Sequence, residues 1–317
     1  MNNFYQPPNE EIWTGRTTTN EHDYWYQVVE MLDLNKAELP PADIAFIGYQ
    51  CEEGVRLNQG RLGAKEGPEA IRHFLPKLPV HHKTFTLADA GDLVYSENLT
   101  LEQFQSVFAQ QIARLLKAKI TPIALGGGHD ISYAHFSGIH QALSQQDEKF
   151  GIINFDAHFD LRKENRSTSG TPFNQILSDY SNVSYLTLGI QQSANTEELF
   201  DIAEQTNSKF LLLESCSMEN LPESLGLISE LADNVNYLYV TIDMDGFSSA
   251  YSPGVSAPSP FGLTPEYVKR VIDKIITSGK VVAIDLAETN PTYDIDNATA
   301  RLAAKLIWEA VRSLENQ

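Results

Sequence analysis

Seven short runs of apolar, β-branched and aromatic residues punctuate the chain: Asp43–Tyr49, Thr121–Leu125, Gly151–Phe155, Val183–Leu188, Phe210–Leu213, Tyr237–Ile242 and Val281–Ile284. Most are continuous rather than alternating, the pattern of strands covered on both faces. Segments with apolar residues at helical spacing lie between many of them, among them Leu101–Lys119, Glu197–Gln205, Pro265–Ser278 and Ala298–Glu315. Thr264-Pro265-Glu266 reads as a cap followed by proline in the first helical turn. Strand–helix alternation predicts a mostly parallel sheet reached through right-handed crossovers, with helices on both sides: a three-layer α/β/α domain. In such sheets ligands gather beyond the carboxyl ends of the strands.

Three of the predicted strands end in residues able to do chemistry. Thr121–Leu125 runs into Gly126-Gly127-Gly128-His129-Asp130, Gly151–Phe155 into Asp156-Ala157-His158-Phe159-Asp160, and Tyr237–Ile242 into Asp243-Met244-Asp245. Alternate residues of an extended chain share a face, so Asp156, His158 and Asp160 are expected to converge, as are Asp243 and Asp245. With His129 the set holds two imidazoles and four carboxylates. Four like charges in a partly dry site repel by several kcal/mol, which two divalent cations would cancel. A mixed nitrogen and oxygen set without thiolate suits manganese, and less selectively zinc, iron(II), cobalt or nickel.

Composition narrows the partners. The 317 residues are 42% hydrophobic and 21% charged, and no Gly/Ser-rich or Pro-rich linker divides them. One domain over residues 1–317 is expected, with residues 1–40 forming an N-terminal arm or helix region. A formal charge of −19 disfavours nucleic acid and anionic membranes. The polar start Met1–Glu11 lacks the features of a signal peptide, and no stretch is apolar enough to span a bilayer. Cys51 and Cys216 fit no metal or redox spacing, in keeping with reduced thiols in the cytoplasm.

These clusters, in this order, resemble the ureohydrolase family, which includes arginase, agmatinase and formimidoylglutamase. Gly63-Ala64-Lys65-Glu66-Gly67-Pro68-Glu69-Ala70-Ile71-Arg72 is similar to the family's early Gly-Pro segment, and Asp285-Leu286-Ala287-Glu288-Thr289-Asn290-Pro291 to its late strand end. The resemblance implies an arginase-like sheet of about eight strands and two manganese ions per subunit. One ion would take His129, Asp156, Asp160 and Asp243. The other would take His158, Asp156, Asp243 and Asp245, with Asp156 and Asp243 bridging. It further implies that a hydroxide held between the ions attacks the substrate carbon, with Asp160 relaying a proton and Glu288 facing the cationic end of a small-molecule substrate. Homo-oligomers are common in the family.

Departures from arginase and agmatinase point within the family. Those enzymes usually carry Gly-Gly-Asp-His-Ser, whereas Gly128 and Asp130 stand at the two changed places here. Phe173, in Ser169-Gly170-Thr171-Pro172-Phe173, falls near a histidine thought to shuttle protons in those enzymes. Both features resemble the formimidoylglutamase subgroup, as do Gly54-Val55-Arg56-Leu57-Asn58-Gln59-Gly60-Arg61 and Trp13-Thr14-Gly15-Arg16. That resemblance implies hydrolysis of N-formimidoyl-L-glutamate to L-glutamate and formamide, a step of histidine degradation. A substrate with two carboxylates needs cationic and polar partners; Arg162 is expected to grip one bidentately, with Arg166, Ser169 and Thr171 as candidates for the other. The alternatives are a guanidino hydrolase of agmatinase or arginase type, which would release urea, and a non-catalytic homologue. A nucleotide-binding protein is disfavoured because no Gly-x-Gly-x-x-Gly or Walker-type loop follows a strand.

Overall fold

The computed structural model describes residues 4–315 apart from residues 19, 83 and 146. Each apolar run named above coincides with a strand, two of them overrunning it by one residue, Asp43 before its strand and Leu213 after it. The strands are β1 (Tyr5–Gln6), β2 (Glu30–Met31), β3 (Ile44–Gln50), β4 (Leu87–Val94), β5 (Thr121–Leu125), β6 (Phe150–Phe155), β7 (Val183–Ile190), β8 (Lys209–Leu212), β9 (Tyr237–Asp243) and β10 (Val281–Ala287). They form one ten-stranded sheet in the order β1-β4-β3-β5-β10-β9-β6-β7-β8, with β2 also paired to β4. All pairings are parallel except that of β1 with β4. The eight longer strands match the expected number; β1 and β2, two residues each, are additions from the N-terminal region.

Strand β4 escapes the hydrophobic pattern because its sequence, LADAGDLV, carries two aspartates among small residues. Their charge is met by Arg72, whose Nε lies 3.1 Å from Asp89 Oδ2 and whose Nη1 lies 2.8 Å from Asp92 Oδ1. Trp13 Nε1 also donates to Asp89 Oδ2 at 2.8 Å.

The helices are α1 (Glu53–Leu57), α2 (Gly67–Arg72), α3 (Leu101–Lys117), α4 (Ile131–Leu143), α5 (Pro172–Asp179), α6 (Glu197–Gln205), α7 (Leu221–Asn234), α8 (Pro265–Ile276) and α9 (Ala298–Leu314). Their starts follow local chemistry. Thr100 and Gln103 exchange side-chain and backbone hydrogen bonds in a capping box before α3. Thr264 Oγ1 accepts from Tyr267 N ahead of α8, with Pro265 in the first turn as expected. Helices α2, α7, α8 and α9 share one apolar core with alternate strand residues such as Phe46, Ile153 and Phe155. Helices α3, α4, α5 and α6 share the other with Ala45, Ile47 and Ile152. The three-layer reading therefore holds.

Of the region expected as an arm or helix over residues 1–40, residues 1–3 and 19 lie outside the described residues. The described part contributes β1, β2 and two single-turn 3-10 helices, Glu10–Ile12 and Trp25–Gln27. Trp25 is fully buried and stacks on Phe46 with ring centroids 5.5 Å apart; Trp13 stacks on the same ring at 6.4 Å. This region is thus docked on the sheet. Among the described residues no helix is long and apolar enough to cross a membrane.

Candidate active site

Four neighbouring strands, β5, β10, β9 and β6, deliver the chemically capable residues at their carboxyl ends. Strands β5 and β6 are successive in sequence, yet β10 and β9 are inserted between them, and the crevice this leaves is where such sheets bind ligands. Glycines bring the loop after β5 close to its neighbours. A Cβ on Gly127 would lie 1.8 Å from Cys51 O, so no side chain fits there. A Cβ on Gly128 would lie 2.6 Å from Asp130 Oδ1. The buried Asp130 carboxylate occupies that space and accepts from Tyr49 Oη at 2.7 Å. Burial pushes its pKa up to about 7. Glycine at 128 and an acid at 130 are therefore a linked pair.

The expected convergence of aspartates and histidines is present, but its local cause differs from simple strand alternation. Asp156 Oδ1 accepts from His158 N at 2.7 Å, and Asp243 Oδ1 accepts from Asp245 N at 2.7 Å. Both segments have left the extended conformation and turned, each held by its first aspartate. Asp160 sits at φ 50°, in the left-handed region that non-glycine residues seldom adopt. That kink, rather than an extended chain, carries its carboxylate to His129.

His129 Nδ1 faces three carboxylate oxygens: Asp160 Oδ2 at 2.9 Å, Asp243 Oδ2 at 3.1 Å and Asp156 Oδ2 at 3.2 Å. His158 Nδ1 lies 3.3 Å from Asp245 Oδ2 and 3.4 Å from Asp156 Oδ1. Two groups of donors result, His129/Asp156/Asp160/Asp243 and Asp156/His158/Asp245, each with ligand atoms within 4.8 Å of one another. Asp156 belongs to both, and Asp243 stands in the first only. One imidazole nitrogen cannot donate to three oxygens, and Asp245 Oδ1 and Glu288 Oε2 are buried with no partner among the described residues. The donor set fits a pair of divalent cations, which would satisfy His129 Nδ1 and the aspartate oxygens together, while Glu288, in neither donor group, keeps Oε2 for another partner.

Titration follows the crowding. Burial, then the charges of Asp245 and Asp156, hold Asp243 well above the usual carboxylate range. Burial and Asp156 raise Asp160, and burial raises Asp245 despite His158. Asp156 alone goes down: burial opposes its charge, but hydrogen bonds from His129 and His158 outweigh it. His158 is raised chiefly by Asp245, and His129, against the cost of burial, by Asp243. Among the protein groups the two histidines thus take up protons that cations would displace.

A buried chain behind the centre was not anticipated. His129 Nε2 lies 3.0 Å from Thr241 Oγ1, which donates to Asp285 Oδ1 at 2.6 Å. Asp285 Oδ2 in turn receives His135 Nδ1 at 2.7 Å and the Tyr239 hydroxyl. With Nε2 tied to Thr241, Nδ1 is left facing the carboxylates. Asp285 on an otherwise apolar strand was the available signal.

The cavity over these groups has a volume of about 320 Å³. Asp160, Arg162, Ser169 and Glu288 line it, together with Asn58 and Arg61, which had no assigned role beforehand. Glu288 is held at φ 63°; its Oε1 accepts from His129 N at 2.9 Å while Oε2 remains free. Burial, then Asp245, raise its pKa to about 8. Arg166 and Thr171 are not among the lining residues. Arg166 Nη2 donates to Leu57 O at 3.3 Å, and Thr171 Oγ1 accepts from Thr168 N at 2.9 Å within its own turn. Phe173 is fully buried, set edge-on to His129 at 5.4 Å and stacked on Tyr185 at 4.4 Å. The histidines lining the cavity are His129 and His158.

A family model described as the arginase family matches residues 42–312. The chain belongs to the arginase family. Within it, the chain is 42% identical over 314 residues to a formimidoylglutamase of Geobacillus thermodenitrificans, covering 97% of each. A formimidoylglutamase of Chromobacterium violaceum is 40% identical, over 96% of this chain and 98% of that one. Among solved structures, formiminoglutamase of Trypanosoma cruzi with Mn2+ superposes with a TM-score of 0.76 and 26% identity, covering 87% of this chain and 94% of that one. Formimidoylglutamase of Bacillus subtilis shares the fold at a TM-score of 0.80 and 23% identity, covering 88% and 89%. This arginase-family chain is a hydrolase acting on carbon–nitrogen bonds, and its donor groups are compatible with a binuclear metal site.

Proposed function

We propose that the chain hydrolyses N-formimidoyl-L-glutamate to L-glutamate and formamide. The observation that carries the reading is one cavity holding both the paired donor groups and, beside them, Arg162, whose guanidinium is held by Asn58 Oδ1 rather than by a carboxylate. The relatives named formimidoylglutamase, near 40% identical over almost the whole chain, support it.

In this reading His129, Asp156, Asp160 and Asp243 would hold one divalent cation and Asp156, His158, Asp243 and Asp245 the other, with manganese as the metal. The cations, when bound, supply Lewis acidity toward water at this point. The remaining work falls to side chains. Glu288 presents Oε2 to the formimidoyl group, a charge-assisted pairing that orients the carbon for attack. A bound amidinium favours the ionised form of that carboxylate, lowering a pKa that burial has raised. Asp160 holds a proton on its carboxylate and passes it to the nitrogen that leaves as the amine of glutamate. Arg162 takes one substrate carboxylate, and Ser169, expected to serve the other, joins it because Asn58 links the two; Arg166 and Thr171 remain candidates for the other only through a shift of their loop. A cytoplasmic location belongs to the same reading, with Cys51 and Cys216 as buried free thiols. So does self-association into a homo-oligomer, which would cover side chains such as Phe261, 74% exposed.

The test is turnover of N-formimidoyl-L-glutamate, agmatine and arginine side by side with manganese present. Formamide and glutamate from the first substrate alone are expected; urea from either of the others as the faster reaction would overturn the reading.

A further inference from the structure

An exposed arginine such as Arg162 becomes a defined carboxylate site only when its side chain is held in place. Arg162 has a long, rotamer-rich side chain, and such groups lose about 2 kcal/mol of entropy when ordered. Its guanidinium is tied at one point: Nη1 donates to Asn58 Oδ1 at 2.7 Å. Asn58 Nδ2 donates in turn to Ser169 Oγ at 3.0 Å. We propose that Asn58 is a positioning residue that turns Arg162 and Ser169 into a paired donor for one carboxylate of the substrate, an inference that rests on the reading above.

The direction of the hydrogen bonds follows from chemistry. A guanidinium only donates, so the oxygen of the Asn58 amide must face Arg162 and its nitrogen must face Ser169. A hydroxyl that accepts from an amide N–H aims its own proton elsewhere. Among the described residues no protein acceptor takes the Ser169 proton, and Ser169 lines the cavity. Arg162 likewise keeps N–H groups beyond the one given to Asn58. The result is a cation and a hydroxyl donor side by side on one wall, both with further protons to offer for which no described residue supplies an acceptor. Ionised carboxylates are acceptor-only groups with the matching need.

The surroundings are built to keep this arrangement. Asn58 N and Ser169 N both donate to Gly54 O, at 3.0 and 3.1 Å, so the two loops hang from one carbonyl. Arg162 N donates to Gly170 O at 3.0 Å, which closes the loop that carries both partners. A Cβ on Gly170 would lie 3.3 Å from Arg162 Cδ and 3.4 Å from both polar atoms of the Asn58 amide. Glycine there leaves the three side chains room to lie together.

Two readouts separate this role from a structural one: KM and kcat for N-formimidoyl-L-glutamate, and calorimetric binding of glutarate, a dicarboxylate without a reacting group. Asn58→Ala is expected to raise KM and weaken glutarate about tenfold through the lost charged hydrogen bond. Asn58→Asp is expected to do so by about a hundredfold, because its carboxylate would pair with Arg162 and reverse the Ser169 proton. In both, kcat, bound metal and melting temperature stay near those of the parent. Glutarate affinity unchanged in Asn58→Asp, or kcat falling while KM holds, overturns the inference. A parent protein that binds glutarate but leaves N-formimidoyl-L-glutamate intact refutes the substrate reading instead, and the glutarate comparison still decides the role of Asn58. Should the Asn58 variants not fold, Ser169→Ala replaces them: weaker glutarate binding supports the paired donor, and unchanged binding sinks it.

Discussion

A single carboxylate separates two roles at this centre. Asp160 is at once a member of the first donor group and a cavity-lining acid, and its left-handed backbone is tolerated only because the surrounding turns enforce it. Asp160→Asn should keep both cations when these are supplied in excess, yet lower kcat by at least about a hundredfold, the usual size of a lost proton relay. Metal analysis beside steady-state kinetics checks it, and full turnover with full metal would rule the relay out. Arg162→Ala should behave in the opposite way, raising KM by about one to two powers of ten with kcat little changed, as expected for a charged hydrogen bond used equally in ground and transition state. Arg162 was legible from its spacing, two residues past Asp160. Asn58 was not, because an amide acquires a role only through what faces it, and its partners lie 104 and 111 residues away.

The loop after β5 is decided by packing. Its third glycine and the acid two residues on compete for one volume, since a Cβ at 128 would meet the Asp130 carboxylate and, at the same 2.6 Å, Val55 Cγ2. Gly128→Asp alone should cost about 1–3 kcal/mol by overpacking. Gly128→Asp with Asp130→Ser should cost less than the two singles added together, with a coupling of about 0.5–3 kcal/mol in a denaturant double-mutant cycle. Additive losses would show that the two positions are independent. Strands β5, β6, β9 and β10 were readable because burial on both faces leaves an unbroken apolar run. Strand β4 was hidden because its aspartates are balanced by Arg72, a residue from another element. Helix α4 carries apolar residues around much of its surface, between the sheet and α3, so helical periodicity did not mark it.

At the scale of the whole molecule, the acids of the centre make stability depend on pH and on metal. Glu288, with its pKa raised to about 8, and Asp130, raised to about 7, bind protons in the folded chain that the unfolded chain has released above its ordinary carboxylate values of 4.5 and 3.8. Asp243, Asp245 and Asp160 act in the same direction. A raised folded-state pKa contributes stability that is complete below the unfolded value and is lost as pH rises through the folded one. Without metal, the melting temperature should therefore fall between about pH 5 and pH 8.5. Saturating manganese should flatten the part of that slope contributed by Asp160, Asp243 and Asp245, because a cation takes the place of their protons and binds only the assembled site, while the part due to Glu288 and Asp130 persists. Equal slopes with and without manganese, measured by scanning calorimetry, would show that Asp160, Asp243 and Asp245 do not meet around metal.

Local order along the chain was enough to establish an α/β sheet, the strand ends at which chemistry gathers, and the kinds of donor present there. Those properties follow from periodicity and from residue type, which neighbours in sequence display. Folding in three dimensions settled the rest: β9 and β10 inserted between β5 and β6, the turns that aim Asp160 and Asp245, and the Thr241–Asp285 chain behind His129. It likewise placed Asn58, Arg162 and Ser169 on one wall and left Arg166 and Thr171 off it. Each of these depends on contacts between distant segments, and long-range packing is a property that no window of sequence contains.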